Sequence, residues 1–174
     1  MEYVAFLLGI NVGRRTVKMA QLKRVVEKSG YLDVRTVLAS GNVRFEAGNA
    51  TPAAIIKKLE PAFEKQFGFT IELIVRSVPD IEKILKSDPF KKVVVGKNTR
   101  RYVTFLAEKP QKPEKPRIVS EHYKILKVTD GAVYSHLEIS DTLKTPDIMK
   151  EMGKSCGKKI TTRNWNTLQK LAAA

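Results

Sequence analysis

The chain has 174 residues, 43% of them hydrophobic and 29% charged, and a formal net charge of +14. That length can bury a sizeable core in one domain or two small ones, and the composition excludes wholesale disorder. No apolar run approaches the roughly 20 residues that span a bilayer. The first apolar run, residues 3–8, is too short for a secretory leader and has no basic segment before it, so a cytoplasmic protein with no membrane partner is expected.

The single cysteine, Cys156, excludes an internal disulfide and a cysteine-based metal cluster. His122 and His136 lack helical spacing, so no histidine-rich metal site and no cofactor is expected, although carboxylates alone can hold magnesium. The basic excess runs along the whole chain and is heavier in the second half. It favours polyanions, whether nucleic acid or anionic metabolites, and equally suits a very soluble, lysine-rich surface.

Residues 3–8 (YVAFLL) read as a buried strand, followed by a glycine-containing loop at 9–16 (GINVGRRT). Met19, Leu22, Val25 and Val26 recur at helical spacing, which predicts an amphipathic helix over about 18–29 with Gly30 at its C-terminal cap. Residues 34–38 and 43–46 read as antiparallel strands around a Ser40-Gly41 turn. Thr51-Pro52 is a helix-start signal, with Ile55, Ile56, Leu59, Ala62, Phe63 and Phe67 as the apolar face and Gly68 as the stop. Ile71, Leu73 and Val75 alternate as a fourth strand. Residues 1–77 therefore read β-α-β-β-α-β, a ferredoxin-like plait.

The second half is less regular. A short helix is expected over 79–85, a strand over 101–106, and an extended loop over the proline-rich stretch 109–117. Two strands, 123–128 and 132–137, flank Asp130-Gly131, a strong hairpin signal. Further helices are expected from residue 145 to about 153 and from about 164 to 171. The predicted class is α+β: a ferredoxin-like plait over 1–77, then a second, less regular plait-like α/β unit over 78–174.

Three motifs in this order carry a family resemblance: residues 3–13 (YVAFLLGINVG), 37–43 (VLASGNV) and 161–167 (TTRNWNT). Together they resemble the bacterial domain-of-unknown-function family 1697, over nearly the whole chain. Leu8 stands where that family usually has arginine, and Arg14 where a second glycine is common. The resemblance implies a two-unit α+β fold built from plait-like halves and implies no established activity.

In such a plait the loop after the first strand and the hairpin between the second and third strands share one end of the sheet. Asn11, Gly13, Arg14, Arg15, Ser40, Gly41 and Asn42 are therefore expected to form one rim. Glycines permit close ligand approach, the arginines can pair with carboxylate or phosphate oxygens, and the helix that follows directs its free N–H groups the same way. The same residues also serve as simple turn formers. Arg163 and Asn164 form a second candidate cluster beside Trp165, the only tryptophan; Arg163 can pair with a ligand, Asn164 can cap the last helix, and a lone tryptophan more often packs in a core. Lysines near Cys156 can lower its pKa, but no histidine base lies nearby in sequence, and Ser40 has no nucleophile-elbow context.

The first functional reading is a binding protein for an anionic or phosphorylated small molecule at this rim. The second is a nucleic-acid binder without sequence preference, using Lys91-Lys92, Arg100-Arg101, residues 109–117 and Lys158-Lys159; the paired aromatics of an RNA-binding sheet are missing. The third is an enzyme at the same rim, for which no acid/base pair or metal cluster identifies a reaction. Nothing in the sequence sets the oligomeric state.

Overall fold

A computed structural model describes residues 1–11, 13, 15–110, 117–140, 152, 156–157 and 159–174. Arg14, the core of the proline-rich stretch and the helix expected from residue 145 lie outside the described residues. The protein is mixed α+β, with two antiparallel sheets and four helices among the described residues. It divides into two compact units, Met1–Leu85 with Thr167–Ala174, and Lys86–Asn166.

The first unit contains β1 (Glu2–Leu7), α1 (Met19–Lys28), β2 (Leu32–Thr36), β3 (Asn42–Glu46), α2 (Pro52–Phe67) and β4 (Leu73–Ser77); α3 (Val78–Ser87) follows directly. Its sheet has the order β2-β3-β1-β4, and every neighbouring pair is antiparallel. Alternate residues of a strand share a face. Tyr3, Ala5 and Leu7 thus join Val43, Phe45, Leu73 and Val75 in one core, closed by Leu22, Val25 and Val26 of α1 and Ile55, Leu59 and Phe63 of α2. Each of these larger side chains contributes roughly 1.5–3 kcal/mol by leaving water.

The ends of α2 are set locally. The Thr51 hydroxyl accepts the Ala54 N–H at 3.2 Å, Pro52 follows, and Gly68 closes the helix at φ +79° while donating to the Glu64 carbonyl at 2.8 Å. A carboxylate then ties helix to sheet: Glu60 accepts the Leu73 N–H at 2.9 Å, at the first residue of β4.

The second unit contains β5 (Thr99–Leu106), β6 (Arg117–Ser120), β7 (Tyr123–Val128), β8 (Ala132–Glu138) and β9 (Ile160–Asn164), in the order β6-β7-β8-β5-β9 and antiparallel throughout. Tyr102, Leu106, Tyr123, Ile125, Val133 and Leu137 pack together on one face. The expected hairpin turns at Asp130-Gly131, where Thr129 and Ala132 exchange hydrogen bonds of 2.8 and 3.0 Å. The last helix, α4 (Trp165–Ala173), follows β9, and the chain rejoins the first unit at Thr167.

Two strands escape a reading by pattern. β9 has the sequence ITTRN and offers one apolar side chain, Ile160; it is recruited by pairing with β5, where Thr104 and Thr162 hydroxyls meet at 2.8 Å. β6 begins at Arg117, at the edge of the proline-rich stretch, and is held by its pairing with β7.

Candidate functional site

β1 ends at Leu7 and the chain turns sharply. Gly9, Asn11 and Gly13 all have positive φ, at +62°, +53° and +60°. Across the sheet end, Leu38 and Gly41 do the same at +62° and +74°. Glycine adopts this region freely and asparagine with little penalty, but it is unfavourable for leucine. Leu38 is also half exposed, so no burial of its side chain compensates.

The two loops are joined by one side chain. Asn11 donates its amide to the Ala39 carbonyl at 2.7 Å, and its oxygen accepts the Val17 N–H at 3.0 Å. Its own N–H donates to the Arg15 carbonyl at 2.7 Å, closing the loop on itself. Leu7 donates to the Gly41 carbonyl at 2.9 Å, which extends the contact from strand to turn. Gly41 fits because nothing larger can: a Cβ there would stand 2.4 Å from Ile10 Cδ1 and 3.1 Å from Leu7 Cβ. Asn42 is fully buried and donates to the Val37 carbonyl at 2.8 Å and the Ser40 hydroxyl at 2.9 Å.

The predicted rim residues therefore fall into two groups. Asn11, Gly41 and Asn42 build the loops. Gly13, Arg15 and Ser40 are exposed on them, and Arg14 lies outside the described residues. The Arg15 guanidinium sits 5.6 Å from the centre of the Phe69 ring, and among the described residues no carboxylate pairs with it. Phe69 and Leu38 belong to this rim and carried no signal as site residues: one is an aromatic after a helix-stopping glycine, the other an apolar residue in a strand-like run. Helix α1 starts at Met19, close to the expected residue 18; Lys18 occupies its N-cap and makes no side-chain cap.

Arg163 and Asn164 lie on β9 in the second unit. Arg163 is buried and donates to the Thr161 hydroxyl at 2.6 Å and the Thr162 carbonyl at 2.9 Å. Burial lowers its pKa to about 10. Asn164 accepts the Asn166 N–H at 2.9 Å, the cap expected at the start of α4. Trp165 is buried edge-on against Phe90 at 5.0 Å, so it anchors a core. Cys156 packs at the margin of the second unit's apolar cluster.

Among the described residues no group of three or more histidine, cysteine or carboxylate side chains could hold a metal ion, and no helix is long and apolar enough to cross a membrane. His136 lies on β8 with Lys124 directly opposite on β7. Burial and the Lys124 charge push its pKa below the ordinary histidine value, against a smaller opposing effect of Glu138.

None of the curated proteins matches the sequence. Among solved structures, the chain is similar to a conserved bacterial protein, SP0830 from Streptococcus pneumoniae, with a TM-score of 0.67 at 20% identity over 99% of this chain and 96% of the other. That likeness shows a shared fold. The family model described as protein of unknown function (DUF1697) matches residues 1–134. The chain belongs to the DUF1697 family, whose function is unknown.

Proposed function

We propose that the protein binds an anionic or phosphorylated small molecule at the rim formed by residues 9–16 and 39–42. The observation that carries this reading is the Asn11 clasp, which fastens two exposed loops to each other through the Ala39 carbonyl at 2.7 Å. The clasp preorganises a surface that carries Arg15, and preorganisation lowers the entropy lost on binding. The left-handed Leu38 is a second support, because backbone strain in an exposed loop concentrates at ligand sites.

In this reading Arg15, with Arg14, supplies the charge. Gly13, with open space around its α-carbon, lets a ligand approach the backbone, and Ser40 and Gly41 shape the opposite side. Asn11 and Asn42 position the loops. Arg163 and Asn164 are spent on β9 and the start of α4 and are not assigned to the rim. The first unit is read as a ferredoxin-like plait over 1–77, which the strand order β2-β3-β1-β4 supports; it is this topology that sends both loops to one end of the sheet.

The test is a melting-temperature screen with inorganic phosphate, inorganic triphosphate, nucleotides and short oligonucleotides at two salt concentrations. A ligand that binds only the folded state raises the melting temperature. The expected result is a rise that persists at the higher salt and is smaller in Arg15→Ala. A rise that Arg15→Ala leaves undiminished sinks the assignment to the rim. A rise seen only with oligonucleotides and abolished by salt would instead assign binding to the distributed lysines.

A further inference from the structure

The second unit holds a cavity of about 720 Å³, between the segment that follows α3 and the β7–β8 pair. Four lysines line it, Lys91, Lys92, Lys124 and Lys127, together with His136 and a single carboxylate, Asp88. Asp88 is engaged in its own turn, where it accepts the Phe90 N–H at 3.1 Å. Among the described residues none of the four lysines has a carboxylate at ion-pair distance.

The basic side chains are placed by the fold. Lys124 stands directly opposite His136 across β7–β8, and Arg101 stands opposite His136 across β5–β8. Lys124, His136 and Arg101 thus share one line across the sheet. Lys91 and Lys92 are fixed from the other side, because the preceding Phe90 is buried against Trp165 at 5.0 Å and Tyr134 at 6.4 Å. Val94 also lines the cavity and is 89% exposed, an apolar side chain left in water beside the lysines.

From this juxtaposition we infer a second binding site, separate from the rim, that takes a small phosphorylated ligand with an apolar body. The lysines and His136 receive the phosphate oxygens, and Val93, Val94 and Leu126 receive the apolar part. The volume falls in the range of small-molecule sites, roughly 300–1,000 Å³. A concave site with an apolar wall favours a small ligand over a nucleic-acid backbone, which would be tracked by a longer basic groove.

The experiment is calorimetric titration of inorganic triphosphate, of ATP and of a short single-stranded oligonucleotide into the whole protein, its Lys124→Glu/Lys127→Glu variant, its Val94→Asp variant and its Arg15→Ala variant. Lys127 is exposed and Lys124 partly so, and circular dichroism and melting are the check that each variant folds. The inference predicts a binding event that persists in Arg15→Ala, that the double lysine variant weakens by about tenfold or more for both ligands, that is tighter for ATP than for triphosphate, and in which Val94→Asp removes most of that difference. Absence of triphosphate binding at low-millimolar concentration overturns it, as does binding that the lysine variant does not change. Binding confined to single-stranded oligonucleotides and weakened by the same variant also overturns it, in favour of a nucleic-acid surface. Loss of all binding in Arg15→Ala alone would return the ligand to the rim.

Discussion

Asn11 is the residue on which the rim depends, and its behaviour is testable without any ligand. Asn11→Ala removes one hydrogen bond to the Ala39 carbonyl and leaves the part-buried Val17 N–H without its acceptor. A loss of about 1–2 kcal/mol is expected in denaturant unfolding. Two glycines give a controlled contrast. Gly13→Ala meets open space at φ +60° and should cost only the left-handed penalty, about 1 kcal/mol; Gly41→Ala adds overlap with Ile10 and Leu7 and should cost about 2–3 kcal/mol. Equal losses at the two positions would mean that the loops relax freely. His136 makes a pH prediction. Its surroundings include Lys124, Arg101 and Glu138 on the sheet, and Asp88, Lys91, Lys92 and Lys127 around the cavity. Burial, then Lys124, lowers its folded pKa, so below the unfolded value of 6.5 the unfolded chain holds a proton that the folded chain refuses. Its contribution to stability is therefore present above that pH and is lost as the pH falls through the window below it. His136→Gln should flatten the part of the fall in melting temperature between about pH 7.5 and about pH 5 that this group causes. Asn11 and Ser40 were legible as turn residues, since their types favour turns; the partner of Asn11 was not, because a backbone carbonyl carries no sequence signature.

At the level of elements, what was legible is what is encoded locally. Thr51-Pro52 and Gly68 bound α2, and Asp130-Gly131 turns the β7–β8 hairpin, because each fixes its own backbone geometry. β6 and β9 were not legible, because their strand character comes from a partner distant in sequence. The docking of α4 has the same origin. Arg44 on β3 holds Glu2 through two bonds of 2.9 Å and donates to the Leu171 and Ala172 carbonyls, each at 2.9 Å, so one guanidinium ties two strands of the first sheet to the last turn of α4. A cation at a helix C-terminus also opposes the partial negative charge there. Arg44→Met should lower stability by about 2 kcal/mol and raise amide hydrogen exchange selectively over residues 167–174. Loss of stability without that local rise in exchange would mean that Arg44 acts only through Glu2.

For the whole molecule, the net charge of +14 is compatible with three readings that the sequence could not separate. A lysine-rich surface, a nucleic-acid binder and a small-molecule site have the same composition, and they differ only in where the charges converge. The fold brings two loops together in the first unit and opposes Lys124 to His136 in the second. Membership of the DUF1697 family and the likeness to the streptococcal protein extend the fold beyond this chain without extending a function to it. The most direct test of the central claim is an amide chemical-shift titration of the protein with inorganic triphosphate, followed residue by residue. The rim account predicts saturable shifts at Gly9, Asn11, Gly13, Arg15, Ser40 and Gly41 that vanish in Arg15→Ala. Saturable shifts elsewhere, with these six amides unmoved, would contradict it and leave the two loops as structural turns.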